Sequence, residues 1–389
     1  MKRIYFDHSA TTPVDKRVLK EMLPYFGEIF GNASSMHSFG REAYKALEQA
    51  RGRVAGLLNC APGEIIFTSG STESNNLVLR GIIKALGEGK KAHIITSSIE
   101  HDSVMEPCAD LEKQGVAVTY LPVKPSGVVD VGELRKAIRP ETILVSIMYA
   151  NNEVGVIQPI AEIAQELSKR DKKIYFHTDA TQAVNALDCD VNKLGVDFLS
   201  LSAHKIYGPK GVGALFIKNK SPLKGIQLGG RQEKNLRSGT INVSGIVGLG
   251  KAAEIAGEER EKNNKKIGKL RQKLVKGIIK SIPDLLFNTD VNNSLPSHAH
   301  FSFRGAEGES ILLYLDMEGI AVSTGSACAS GSLEASHVLS AMGVSEEIAH
   351  GSIRFSLGKY NTHAEISKLL KKLPPIIGKL RKLNPIYKK

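Results

Sequence analysis

Tryptophan is absent from this chain, and cysteine occurs only four times in 389 residues. Cys60, Cys108, Cys189 and Cys328 form no Cys-x-x-Cys pair. A zinc site or a dithiol motif is therefore unsupported, and no metal is expected. Free thiols suit a reducing compartment. No apolar run is long enough to span a bilayer. The N-terminus, Met1-Lys2-Arg3-Ile4-Tyr5-Phe6-Asp7, reaches an acid within seven residues and lacks a signal-peptide core. These absences predict a cytoplasmic protein that does not enter a membrane. Acidic residues are also in deficit: 40 Asp and Glu stand against 52 Lys and Arg, a formal net charge of +12. Residues 256–389 hold 20 Lys/Arg against 13 Asp/Glu, so over half of the excess lies in that third of the chain. No aromatic-rich nucleic-acid motif accompanies the charge. An acidic protein partner is the more economical reading, and nucleic acid is not expected.

What is present is ordinary for a soluble protein with a full core: 42% hydrophobic and 24% charged residues. The length allows two or three domains, or one large domain with an appendage. Strand-like apolar runs alternate with helical patterns through the first two thirds. Glu64–Thr68 leads into a helix near Glu73–Leu86, and Ala92–Thr96 into a helix near Asp102–Gln114. Strands are expected at Val116–Leu121 and Thr142–Met148, then in the runs ending at Thr178, Ser202 and Ile217. This alternation predicts an α/β layer fold with a mainly parallel sheet. After about residue 250 the character changes. A basic helical stretch runs from Ala252 to about Ile282. Short strands follow near His300–Phe303 and Ile320–Ser323, and a last helix near His363–Leu380. The expected organisation is a large domain, 15–255, and a smaller α+β domain built from 1–14 and 256–389.

Lys205 is the most informative residue. It follows a strand-like run, Leu199–Ser202, and precedes the turn Gly208-Pro209. An amine held at the carboxyl end of a buried strand can form a Schiff base with a carbonyl. Pyridoxal phosphate (PLP) chemistry needs such a lysine and an acid for the pyridinium nitrogen. Asp179, which closes the strand-like run before it, is available as that acid. Sites in such folds gather outside the carboxyl ends of strands. Ser71, Thr72, Asn152, Asp179 and Lys205 all occupy that position.

Ser69-Gly70-Ser71-Thr72 joins a strand to a helix. Amides at a helix N-terminus attract phosphate, although Ser and Thr are equally common as plain helix caps. The motif is not a Walker A loop, because no Gly-Lys-[Ser/Thr] follows. His101 follows another strand and offers a flat ring for stacking, or simply starts a helix. Ser323 to Ser332 contains only small residues around Cys328. Such a loop leaves a thiol accessible and suits a nucleophile. Arg354 lies in an alternating run, where its guanidinium can clamp a carboxylate or serve a structural ion pair.

Taken in order, these segments resemble a known family. The carriers are Ala10-Thr11-Thr12-Pro13, Phe67–Ser74, Asn151–Gly155, His177–Gln182, His204–Gly211, Arg237-Ser238-Gly239-Thr240 and Gly325-Ser326-Ala327-Cys328. Together, from about Ile4 to Tyr387, they look like a cysteine desulfurase of the NifS/IscS type. The resemblance implies a fold-type I PLP enzyme that converts L-cysteine to L-alanine. By resemblance, Lys205 links covalently to PLP, Asp179 pairs with the ring nitrogen, Gln182 contacts the phenolic oxygen and His101 stacks on the ring. Ser71, Thr72, Ser202 and His204 surround the phosphate. Thr240 reaches the phosphate of the other subunit, which implies a homodimer. Asn152 lies near ring and substrate, Arg354 and Asn32 meet the substrate carboxylate, and Cys328 takes the sulfur as a persulfide. The implied acceptor is an iron–sulfur scaffold of the NifU or IscU kind. A selenocysteine lyase, an aminotransferase-like enzyme and a sulfur-delivery platform with weak turnover are the alternatives. Ala33 stands where the family often has proline. The chain stops soon after Tyr387, so a scaffold is expected to dock elsewhere than on a long C-terminal tail.

Overall fold

The computed structural model describes residues 3–87, 91–324, 335–385 and 387. In chain order the strands are β1 Ile4–Tyr5, β2 Ile65–Thr68, β3 His93–Ser97, β4 Ala117–Leu121, β5 Thr142–Ser146, β6 Tyr175–Asp179, β7 Phe198–Ser202, β8 Gly213–Ile217, β9 Leu285–Phe287, β10 His298–Phe303, β11 Ile320–Ala321 and β12 Ser352–Ser356. The helices are α1 Lys16–Met22, α2 Ser38–Leu58, α3 Ser71–Ile82, α4 Asp102–Lys113, α5 Val131–Ala137, α6 Ile160–Ser168, α7 Val191–Leu194, α8 Val243–Ser281, α9 Gly308–Met317, α10 His337–Ala341, α11 Glu346–Ala349 and α12 His363–Leu383.

Seven strands form the main sheet in the order β2-β8-β7-β6-β5-β3-β4. All neighbours are parallel except β8, which runs antiparallel to both β2 and β7. The expected mainly parallel α/β fold is therefore present. Strands β3, β5 and β7 are buried at every position because both faces are covered. Leu199 and Leu201 of β7 pack on one side with Leu47 of α2, Ile163 of α6 and Leu249 of α8. Phe198, one residue earlier and so on the opposite face, packs with Leu77 of α3 and Val104 of α4.

A second core gathers Phe301 of β10, Phe355 of β12, Leu315 of α9 and Leu369 of α12. The beginning of the chain belongs to it: Ile4 and Phe6 are buried there, and β1 pairs with β11. Helix α8 serves both cores, with Leu249 and Ala253 in the first and Leu270 and Leu274 in the second. It starts at Val243, nine residues before the expected Ala252. The reason is close packing. A Cβ on Gly250 would sit 2.7 Å from Ala50 of α2, and one on Gly248 2.6 Å from the Met22 sulfur. The glycines that look helix-breaking are what let α8 approach its neighbours.

Candidate active site

Asp179 is the last residue of β6 and Ser202 the last of β7, and Asp179 pairs in register with Ser200. The main sheet thus presents acid and lysine side by side at its carboxyl edge. Lys205 follows β7 in one tight turn, Ala203–Lys205. The next residue but one, Tyr207, has φ +64°, a left-handed conformation costly for a bulky side chain. It is held there by three contacts. Its N–H donates to Thr12 Oγ1 (2.9 Å), its carbonyl accepts from Asp15 N (2.9 Å), and its hydroxyl accepts from Lys359 N (2.8 Å).

Asp179 is buried, and both its oxygens are engaged. Oδ1 accepts from Thr181 N at 2.9 Å and Oδ2 from Asn75 Nδ2 at 2.7 Å. His101 caps α4: its Nδ1 accepts from Ser103 N at 3.0 Å. Behind the capped turn lies Glu100, a fully buried carboxyl raised by desolvation to about 8. It takes hydrogen bonds from Ser97 Oγ (2.6 Å) and Met148 N (2.9 Å).

At the start of α3, Ser71 is half-buried and Thr72 exposed. Ser202 is brought to the same place, since a Cβ on Gly70 would lie 3.6 Å from Ser202 Oγ. Strand β8 approaches so closely that a Cβ on Gly213 would meet Gly70 at 2.7 Å. Hydroxyls and helix amides therefore converge at one end of the cleft, as an anion site requires. His204 turns toward the N-terminal segment, with Nδ1 3.1 Å from Thr11 Oγ1. Burial and the adjacent Lys205 lower it to about 4, so it is neutral at pH 7.

The segment Asp7–Asp15 was not expected to carry site residues, yet it touches five of them: His204 and the four that follow. Lys205 Nζ donates to the carbonyls of Ser9 (2.5 Å) and Ala10 (2.8 Å). Gln182 Nε2 also donates to Ser9 O, at 3.0 Å. Ser9 Oγ donates to Asn152 O at 2.7 Å. Arg354 donates from Nη2 to Asp7 Oδ1 (2.8 Å) and from Nη1 to Asn152 O (3.0 Å), while its buried Nε has no partner among the described residues. One strap thus brings Lys205, Gln182, Asn152 and Arg354 together.

Cys328 lies outside the described residues, as do Gly325 and Gly331. The described residues on either side of that segment are anchored at the same cleft. Upstream, Ser323 bridges Arg354, with Arg354 N donating to Ser323 O at 2.7 Å. Downstream, Ser336 Oγ donates to the buried Glu153 at 2.5 Å, and His337 Nε2 meets Glu100 O at 2.9 Å.

Two expected residues are not drawn into this cluster. Asn32 is exposed, and its side chain closes a local turn onto Ser34 N at 2.9 Å. Thr240 is exposed as well. Of the other cysteines, Cys60 is half-buried and Cys108 and Cys189 are fully buried, and burial raises all three to about 12.

The donor set fits PLP. It offers an amine at Lys205, a carboxylate at Asp179, an amide at Gln182 and hydroxyls beside a helix N-terminus. Buried Thr181 Oγ1 and Asn75 Oδ1, both next to Asp179, lack partners among the described residues. Residues 4–369 match the class-V aminotransferase family. The chain belongs to that family. Members of this family are PLP-dependent, and relatives place the chain among its cysteine desulfurases. "Cysteine desulfurase IscS" from Dictyoglomus turgidum is 52% identical over 99% of this chain and 97% of its own length. A solved structure described as a NifS-like protein superposes with TM-score 0.92 at 44% identity, covering 97% of this chain and 100% of its own. Another, "SspA in complex with cysteine", gives TM-score 0.81 at 39% identity over 93% of this chain and 100% of its own.

Proposed function

We propose that this chain is a PLP-dependent cysteine desulfurase: L-cysteine enters, L-alanine leaves, and the sulfur remains on Cys328 as a persulfide. The observation that carries the reading is the chain of hydrogen bonds from Lys205 through Ser9 and Asn152 to Arg354, to which Ser323, just upstream of the Cys328 segment, is also bonded. When bound, PLP supplies an aldehyde for the substrate amine and a ring that accepts electron density.

The residues of the chain do the rest. Ser71, Thr72, Ser202 and His204 hold the phosphate end. Asp179 keeps the ring nitrogen protonated, because an adjacent carboxylate favours the charged form. His101 covers the ring face, and Gln182 reaches its phenolic oxygen. Arg354 takes the substrate carboxylate, with Asn152 beside it. Lys205 would hold PLP through its amine and, once that amine is free, would carry the α-proton, with His101 as the second proton carrier. The Cys328 thiolate attacks the substrate sulfur. The carbon–sulfur bond breaks and a sulfur–sulfur bond forms, so cysteine and a thiol become alanine and a persulfide without an outside oxidant.

The working unit is a homodimer in which Thr240 serves the partner's phosphate site. Exposed Phe26, Phe30, Met36 and Phe39 surround Asn32 in sequence, and exposed apolar groups at such density mark an interface. The sulfur acceptor is an iron–sulfur scaffold of the NifU or IscU kind, for which the basic third of the chain offers charge complementarity to an acidic partner. The deciding experiment is alanine release from L-cysteine by the purified protein, with one persulfide formed per subunit before any reductant is added. Alanine without persulfide sinks the reading.

A further inference from the structure

Asn75 lies on α3, one turn past the phosphate-end hydroxyls, and is fully buried. Its amide nitrogen makes two contacts: 2.7 Å to Asp179 Oδ2 and 2.9 Å to Ser103 Oγ. The orientation of the amide is fixed by chemistry. A carboxylate only accepts, so nitrogen, not oxygen, must face Asp179. The second amide proton then points at Ser103 Oγ. With that oxygen accepting from Asn75, the Ser103 hydroxyl is left to donate to His101 Nδ1, 3.0 Å away. His101 Nδ1 already accepts from Ser103 N. The two donors share the one lone pair of Nδ1, which therefore carries no proton, and the neutral form of the ring has its proton on Nε2.

We infer that Asn75 is a positioning residue that orients two groups at once: the Asp179 carboxylate behind the ring nitrogen, and the His101 ring, in its Nε2–H form, on the ring face. One amide from α3 thereby locks together the end of β6 and the start of α4. A hydrophobic side chain of the same size would fill the space and leave both oxygens, Asp179 Oδ2 and Ser103 Oγ, without a donor. That is the expensive way to lose a buried hydrogen bond. The inference rests on the reading of Asp179 as partner of the ring nitrogen and of His101 as its cover.

The test uses the full chain stripped of PLP. Binding is measured for PLP and for its carbocyclic analogue, in which CH replaces the ring nitrogen. The ratio of the two affinities reports how well Asp179 is aimed, independently of turnover. Asn75→Leu is expected to lower the ratio at least fivefold, and Asn75→Ala takes its place where leucine prevents folding. Ser103→Ala cuts only the arm to His101. It should leave the ratio within twofold of wild type while shifting the pH profile of kcat in the reloaded enzyme. Asp179→Asn in the same assay separates the two levels of the argument. If that variant keeps the wild-type ratio, the reading of Asp179 fails. If it collapses the ratio while both Asn75 variants keep it, the role of Asn75 is overturned and the reading of Asp179 stands. An unshifted pH profile in Ser103→Ala overturns the arm to His101.

Discussion

Arg354 is paired with Asp7 across almost the whole length of the chain, Nη2 to Oδ1 at 2.8 Å, with the arginine side chain 5% exposed and the aspartate 19%. The pair fixes the guanidinium in the position from which it faces Asn152. Removing one member of a buried pair leaves the other uncompensated. Asp7→Asn should therefore cost roughly 3 kcal/mol of stability. A double-mutant cycle with Arg354→Gln should show coupling of at least about 1 kcal/mol. Additive losses in chemical denaturation would refute the pairing.

Lys205→Ala should purify without a covalent PLP link and without turnover. The check is borohydride reduction followed by mass spectrometry of the intact chain. A reducible link that persists in the variant would exclude Lys205 as the site of attachment.

Only Cys328 should carry sulfur. Cys60, Cys108 and Cys189 are held as thiols at about 12 by burial. At pH 8 they expose on the order of one thiolate in ten thousand. Changing these three together should leave turnover within about twofold. Cys328→Ser should still bind PLP and cysteine but form no persulfide, because a hydroxyl is a poor sulfur nucleophile. Peptide mapping after one round with cysteine decides it, and label on any other cysteine contradicts the mechanism.

Stability should fall as pH drops below 6.5. His8, His93, His177 and His204 are lowered to about 4 and His298 and His300 to about 3, in each case chiefly by burial. Their folded values lie below the unfolded one, so the unfolded chain binds more protons in that window. The contribution is complete above 6.5 and is lost as pH falls toward 4. Glu100, raised to about 8, and Glu153, also raised by burial, act oppositely, losing stability as pH rises from 4.5. Six histidines outweigh two carboxyls. The denaturation midpoint should be lower at about pH 5 than at about pH 7, at fixed protein and PLP concentration. Equal midpoints would show that these histidines do not stay neutral in the fold.

Light scattering at assay concentration should give a dimer. Phe30→Glu with Met36→Glu should produce monomers with weakened PLP retention, because Thr240 then has no partner site to complete. Monomers that retain full activity would rule out a shared site.

The carboxyl ends of β6 and β7 were legible because Tyr175 and Phe176 in one run, and Phe198, Leu199 and Leu201 in the other, give way to polar residues, with Asp179 at the first end and Lys205 three residues beyond the second. The strap was not. Asp7 and Ser9 follow a two-residue strand with no periodic pattern, and their partners Arg354 and Asn152 lie in distant segments. Asn75 reads as one polar residue on an amphipathic helix. Nothing local distinguishes it from Asn76 beside it, which is only half-buried and bonds its own helix at Thr72 O.

The amino-acid sequence by itself determined the layer fold, the lysine and acid at the sheet edge and the small-residue setting of Cys328, because each depends on residues adjacent along the chain. Only the tertiary structure decided which groups hold them. Asp7 on Arg354, Ser9 on Lys205 and Asn75 on Asp179 are hydrogen bonds between residues far apart in sequence. Such bonds exist only once both cores have packed and the chain ends have met.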